Sequence, residues 1–582
     1  PQPKSEDRPF HQPHERNGYF PYGRYVDLLN PDAVDYFIET THEEYRKRFA
    51  KHFGTTIQMA FTDEPGFYTI MRDKYSAVQW SPIFAREFER EYGYSIIDYL
   101  PALVSDIGER TVKVRHDFWA KLSQMFEVNF VKKLADWCEA NNLQLTGHFR
   151  LCNPFLIWQM QHQGNVIGQL REMHVPGIDL LDNVDGDLNL RWGIDENVWQ
   201  IPNKIVSSVA HQHGQERIMS ESFALGGWKY TLQNMKILSD WQYFMGINFM
   251  VPHAFHYSIS AQRKRECPPS LFYQNPVWDN YKYFSDYQNR MGAMTIGATH
   301  VADIAVLFPM DSLWAEYPTG TAESLPWDLI DDFSLVTDKL LRWNLDYDIL
   351  GQDELEACEI PDGQLKIRDE THHVLLVPPM TTVRRKTADI ILDYVNNGGR
   401  VLFLGLLPLR DNDGIALTEL LSLMEAQLIV RAVDLLERYQ RAEDHVPQAI
   451  FAEGEYKDRI ALLASGPLYQ LERVDAIQEM IEKMIARDVR IDFLDSPRGN
   501  IYCSHWVKDG QQIFMVVNSD ERAHKVDLTL RADGVPSLWN PETGEIAPIH
   551  CFRRSENGNT VVPRIVEPLE SFFVVLDPDG VN

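Results

Sequence analysis

Glu64 and Glu221 each close a short apolar run, and a carboxylate at the end of a buried strand is where a parallel α/β barrel keeps its chemistry. The first run covers residues 56–62 and breaks at Asp63-Glu64-Pro65-Gly66; the second covers 217–220 and leads into Glu221-Ser222-Phe223 and then Gly226-Gly227. Two such carboxyl groups suit the hydrolysis of a glycosidic bond, one giving a proton to the leaving oxygen and the other acting as nucleophile or as base towards water. The acid must hold its proton near neutral pH, which burial or a second carboxylate achieves. Glu64, beside Asp63 and behind an apolar strand, suits the acid, and Glu221 is then nucleophile or base. Either glutamate alone could equally cap a helix or pair with an arginine. The pair carries the reading.

Other residues gather at the same strand ends. His148, His253 and His256 stand at or just past them, where a substrate would lie; with a carboxylate, His253 and His256 could also hold zinc, although no HExxH spacing accompanies them and the metal stays unassigned. Asp63, Asp179 and Asp182 could bind sugar hydroxyls or, with nearby carbonyls, Ca²⁺, and could equally cap helices or form ion pairs. Trp228, Trp278 and Tyr257 are candidate stacking platforms, with core packing expected for at least one. Arg263-Lys264-Arg265 is a basic cluster in an acidic protein. It could grip a uronic acid carboxylate through a bidentate arginine, or pair with neighbouring acids.

The elements that must position these residues alternate strand and helix, which predicts an α/β fold with a parallel sheet. Residues 25–29 read as a strand end, Asn30-Pro31 as the start of a helix to about 53, and 112–141 as a long helix. Strands follow at 143–148, 177–182, 217–221 and 246–253. Counting back from the last as the eighth of a (β/α)8-type barrel puts Glu64 on strand four and Glu221 on strand seven, with too little sequence before residue 25 for the first strands. The barrel is expected over 1–298. A doubly wound α/β accessory domain of flavodoxin or amidotransferase type is expected over 299–495, with no GxGxxG after its first strand and hence no nucleotide role. A small β-sandwich is expected over 496–582.

Composition narrows the partners. The chain has 582 residues, 44% hydrophobic and 24% charged, with a formal net charge of −28. That length calls for several domains, and that charge argues against nucleic acid and anionic membrane. Six cysteines without a CxxC pair indicate neither a zinc finger nor a disulfide scaffold. No membrane span and no signal peptide are read, so a cytoplasmic protein with a carbohydrate substrate is expected, and the acidic surface with an α/β domain fits a homo-oligomer.

The runs Ser220-Glu221-Ser222-Phe223-Ala224-Leu225-Gly226-Gly227-Trp228, residues 246–258 and Arg263-Lys264-Arg265-Glu266-Cys267-Pro268-Pro269-Ser270 resemble the α-L-rhamnosidase-like glycoside hydrolases of family 106, as do Phe61-Thr62-Asp63-Glu64-Pro65-Gly66 and Thr146-Gly147-His148. The resemblance covers roughly residues 20–310. It implies a catalytic barrel with β-sandwich domains, inversion at the anomeric carbon and help from Ca²⁺, although the residues themselves require no cofactor. It implies Glu221 in the catalytic centre, with His148, His253 and His256 around the sugar. Where relatives often place a glutamate a few residues after the Gly-His pair, Arg150-Leu151-Cys152-Asn153-Pro154-Phe155 has none, which implies a changed substrate or lost activity. Strands four and seven imply carboxyl groups about 5 Å apart and retention, whereas the family implies a wider gap and inversion. The expected function is removal of a terminal, rhamnoside-like sugar from an oligo- or polysaccharide. The alternatives are a retaining β-galactosidase-like barrel enzyme and a non-catalytic carbohydrate-binding protein.

Overall fold

A computed structural model of the chain describes residues 26–67, 78–149, 156–181, 200–319, 324–442 and 446–578. Asn30 caps the first helix, Pro31–Phe37, its side chain accepting from Asp32 N–H with Pro31 in the first turn. The expected strand over 25–29 is not formed by its described part. Residues 26–29 turn instead, because Asp27 Oδ1 takes the Leu29 N–H at 3.1 Å and its carbonyl takes the Asn30 N–H at 3.2 Å. The long helix runs as Thr111–Phe126 and Lys133–Ala140, joined through a wider π turn at Glu127–Lys132.

Five short parallel strands follow the expected order: β1 (Met59–Asp63), β2 (Gln144–His148), β3 (Gly177–Leu180), β4 (Met219–Ser222) and β5 (Phe249–Pro252). β1 pairs with β2, and β4 pairs with both β3 and β5, all in parallel. β2 and β3 are stitched just before β3 begins, by Val175 N–H to the Leu145 carbonyl (3.1 Å) and by Thr146 Oγ1 to the Val175 carbonyl (2.9 Å). Among the described residues this wall is therefore two parallel sheets, β1-β2 and β3-β4-β5, joined at the β2/β3 seam. Their side chains alternate between the two faces, so residues level with one another share a face. Gly147 sets the last step of β2. Its φ is +122°, and a Cβ there would stand 2.0 Å from the Thr62 carbonyl oxygen, so only glycine lets β1 lie this close beside His148.

The second sheet runs Gln448–Phe451, Ile460–Ala464, Val401–Gly405, Val374–Val377, Ile304–Leu307, Tyr347–Leu350, parallel except for its first, antiparallel edge. In chain order the five parallel strands lie 2-1-3-4-5, the doubly wound arrangement expected. Two antiparallel sheets close the chain, centred on Gln511–Asn518 and His524–Leu530. Val489–Phe493 joins the latter sheet, and Thr299–His300, just after the helix that follows β5, joins the edge of the former by pairing with Trp506 and Val507. Among the described residues no helix is long and apolar enough to cross a membrane.

Candidate active site

The register of the wall makes the site. Asp63 at the end of β1 lies level with His148 at the end of β2, and Asp179 on β3 lies level with Glu221 on β4. His148 Nε2 stands 2.7 Å from Glu221 Oε2 and 3.5 Å from Asp63 Oδ1, while His253 Nε2 is 4.0 Å from Glu221 Oε1. His148 is only 1% exposed and Asp179 only 5%. Asp63 sits on the open edge of the group, its side chain 76% exposed. Glu64 follows it in a left-handed backbone conformation (φ +43°), with its N–H donating to the His148 carbonyl at 3.1 Å. Its charge reaches Asp179, while three carboxylates, Asp179, Glu221 and Asp63, act on the His148 imidazole.

Electrostatics divides their roles. Burial opposes a charge on His148, but Asp179, Glu221 and Asp63 overcome it and lift the imidazole to about 9. It is an imidazolium at neutral pH, donating a charge-assisted hydrogen bond to Glu221. Asp179 moves the other way from its usual form. Burial raises its pKa to about 7 against the pull of His148, and Glu64, Glu221 and Asp63 add to the rise. Asp179 Oδ1 and His148 Nδ1 are buried polar atoms with no protein partner.

The raised pKa of Asp179 has a measurable sign. A folded value of about 7 above an ordinary 3.8 means that its contribution to stability is complete below about pH 4 and is lost as the pH rises through 7. Asp179→Asn is therefore expected to gain melting temperature relative to the wild type between pH 4 and 7. A difference between the two proteins that stays constant across that window contradicts the assignment.

The remaining expected residues fall around this centre to different degrees. His256 lies beside His253 (ring centroids 6.1 Å), its pKa lowered by burial and then by His253. Trp228, 39% exposed, donates Nε1–H to the Lys264 carbonyl at 3.1 Å, and Tyr257 is 87% exposed on the same loop as Arg263. Trp278 instead packs against Phe255, Phe272 and Tyr281 in an aromatic patch. Asp182 and the segment 150–155 lie outside the described residues.

Two things were not visible in the residue spacing. His148, expected to face the sugar, is the hydrogen-bond partner of Glu221, a relation set by the fold across β2, β3 and β4. A second buried cluster joins three distant segments: His300 places Nδ1 3.2 Å from Asp348 and Nε2 2.8 Å from Asp346, His211 reaches Asp348 at 3.2 Å, and Lys204 reaches Asp346 at 2.9 Å. With both ring nitrogens on carboxylates, and a pKa of about 10, His300 is a cation locking helix Gln200–His213 to the second sheet.

Among the described residues the group with ligand spacing at this site is Asp63, His148 and Glu221, two carboxylates and one ring nitrogen, whereas Ca²⁺ takes about six to eight oxygen ligands.

The sequence model of the glycoside hydrolase family 106, alpha-L-rhamnosidase, matches residues 20–348, more than half of the chain and all five strands of the wall. The chain belongs to this family. Family 106 membership places it among the glycoside hydrolases. A curated relative from Formosa agariphila, named "Putative beta-glucuronidase", is 22% identical over 569 residues, covering 95% of this chain and 41% of its own length. The solved rhamnosidase of Novosphingobium sp. PP1Y superposes with a TM-score of 0.68 at 20% identity, covering 96% of this chain and 48% of that one. A GH42 beta-galactosidase from G. stearothermophilus superposes with a TM-score of 0.62 at 11% identity, covering 94% and 82%. At these identities the solved structures show a shared fold. This family 106 chain spans less than half the length of the first two relatives.

Proposed function

We propose that the chain is the catalytic part of an enzyme that hydrolyses the bond to a terminal, rhamnoside-like sugar, and that the five-stranded wall belongs to a (β/α)8-type barrel. The observation that carries the reading is the convergence of Asp63, Asp179 and Glu221 on His148 at the carboxyl ends of parallel strands, with the charge of Glu64 reaching Asp179. Glu221, oriented by the His148 imidazolium, acts as nucleophile or as base towards water at the anomeric carbon. Glu64, just past the end of β1, supplies a proton to the leaving oxygen. Asp179, half-protonated near pH 7, holds that proton in the buried wall, and Glu64 on the rim delivers it. Breakage of the C–O bond with addition of water gives the free sugar and the alcohol. The name of the curated relative favours a second reading of the substrate, a β-glucuronide.

The acid role is tested by leaving group. Glu64→Gln is expected to spare 2,4-dinitrophenyl glycosides, which need no proton, and to lose about a hundredfold or more on unactivated ones. An equal loss on both contradicts the role. Proton NMR of the first-formed sugar separates inversion from retention.

A further inference from the structure

The helices that follow β4 and β5, Leu232–Phe244 and Tyr281–Thr295, each start from the loop after a parallel strand. Their first turns therefore stand at the end of the wall that carries the carboxylates. Between those turns and the C-terminal sheets lies a cavity of about 320 Å³. Tyr283, Phe284, Leu232 and Leu569 give it apolar walls, and Gln233 and Glu542 give it polar groups.

Lys236 braces the cavity. Its ammonium donates to Asp240 Oδ2 (2.7 Å), the Leu569 carbonyl (3.0 Å) and Ser571 Oγ (3.0 Å), tying the helix after β4 to the strand Ser571–Asp577. Leu569 presents that carbonyl from a left-handed backbone, φ +55°, which a residue with a Cβ seldom adopts. All three Lys236 protons are thus used, whereas other polar groups stay open. The side chains of Gln233 and Tyr283 make no hydrogen bond among the described residues. The Glu542 carboxylate, 43% exposed, stands 3.6 Å from Lys236 Nζ and accepts no hydrogen bond among them.

A ridge of rings joins this cavity to the active-site loop. Phe284 packs on Phe223, just past Glu221, at 5.6 Å and on Tyr281 at 5.9 Å. Tyr281 meets Phe255 and Trp278, and both of these meet Phe272, which packs on Tyr273. The Tyr273 hydroxyl donates to the carbonyl of Tyr257, the neighbour of His256, at 3.4 Å. Tyr257, Tyr273, Phe255 and Trp278 along the ridge and Tyr283 in the cavity are all exposed. A run of uncovered rings of this kind marks a binding surface.

A pyranose suits such a lining. Its C–H face is apolar and stacks on an aromatic ring, while its hydroxyls both donate and accept hydrogen bonds. Tyr283 offers the ring, Glu542 an acceptor, and Gln233 an amide that does both. The volume sits at the lower end of the about 300–1,000 Å³ of ligand pockets, which fits a short saccharide segment.

We infer that this cavity is a second, non-catalytic saccharide site, which holds a sugar unit of a polymeric substrate away from the bond that is cut, with Tyr283 as its stacking platform. The inference rests on the carbohydrate reading of the chain and adds a binding site outside the carboxylate cluster.

Affinity electrophoresis of the 582-residue chain through gels holding gum arabic, rhamnogalacturonan or galactan tests this, in the Glu221→Gln background so that the polysaccharide stays uncut. At least one of the three is expected to retard the protein. Tyr283→Ala, at an exposed position and with an unchanged melting temperature, is expected to raise the dissociation constant at least about tenfold, and Gln233→Ala about threefold. In a chain that keeps Glu221, Tyr283→Ala is expected to leave turnover of 4-nitrophenyl glycosides, too short to reach the cavity, within about twofold of wild type. Free migration through all three gels, retardation that Tyr283→Ala leaves unchanged, or an equal loss on the short substrates overturns the inference. Glu221-dependent hydrolysis without Tyr283-dependent retardation sinks the second site and leaves the glycosidase reading standing; Tyr283-dependent retardation in a chain that hydrolyses nothing does the reverse.

Discussion

Replacing His148 by glutamine is expected to cost about 3 kcal/mol of stability at pH 6, and the loss should shrink steadily up to pH 9. Glutamine can still donate a hydrogen bond to Glu221, so the change removes the charge and keeps a donor. Burying Glu221 and Asp179 near one another, with Asp63 at the open edge, is tolerable while an imidazolium sits among them: the His148 side chain is 2% exposed and the Glu221 side chain 14%. The sign follows from the shift. The folded pKa of about 9 lies above the ordinary 6.5, so the stabilisation is complete below pH 6.5 and is lost as the pH rises through 9. Urea unfolding of both proteins at pH 6, 7.5 and 9 measures it. A difference in stability that does not change with pH contradicts the imidazolium assignment. Activity should fall with stability, because Glu221 loses the partner that orients it.

Much of this site could be read from the chain because a parallel strand leaves a plain mark, an apolar run that stops on a polar residue, even at β1, which was expected to be buried and is partly exposed, with Phe61 at 44%. Asp63, His148, Asp179 and Glu221 all stand at such stops, and each ends up in the cluster. Pairing between strands leaves no such mark. The hydrogen bond from His148 to Glu221 depends on the lateral order of β2, β3 and β4 and on how closely β1 approaches Gly147, which are tertiary facts. The same holds for His211, His300 and Asp348, which come from a helix, a two-residue strand and a sheet of another layer. Thr299–His300 is too short for any periodicity, so its place at the edge of the C-terminal sheet was hidden. At residues 26–29 the apolar character of Val26, Leu28 and Leu29 suggested a strand, and local hydrogen bonds to Asp27 won. The chemistry of Asp179 was half legible: its position was, whereas its raised pKa depends on burial that only the packed wall provides.

The four carboxylates carry the central claim, and Glu221 is the one whose loss should be felt most. Glu221→Gln keeps the shape and a polar end group beside His148, while removing the charge needed to attack the anomeric carbon or to activate water. Turnover is expected to fall about a thousandfold or more, with the fold intact. The most direct measurement is release of 4-nitrophenol from a panel of aryl glycosides, led by the α-L-rhamnoside and including the β-D-glucuronide, with wild type and Glu221→Gln side by side at pH 6 to 7. Cleavage of one sugar by the wild type, abolished in a Glu221→Gln protein that melts at the same temperature, is the predicted result. Cleavage that survives the substitution would contradict the account.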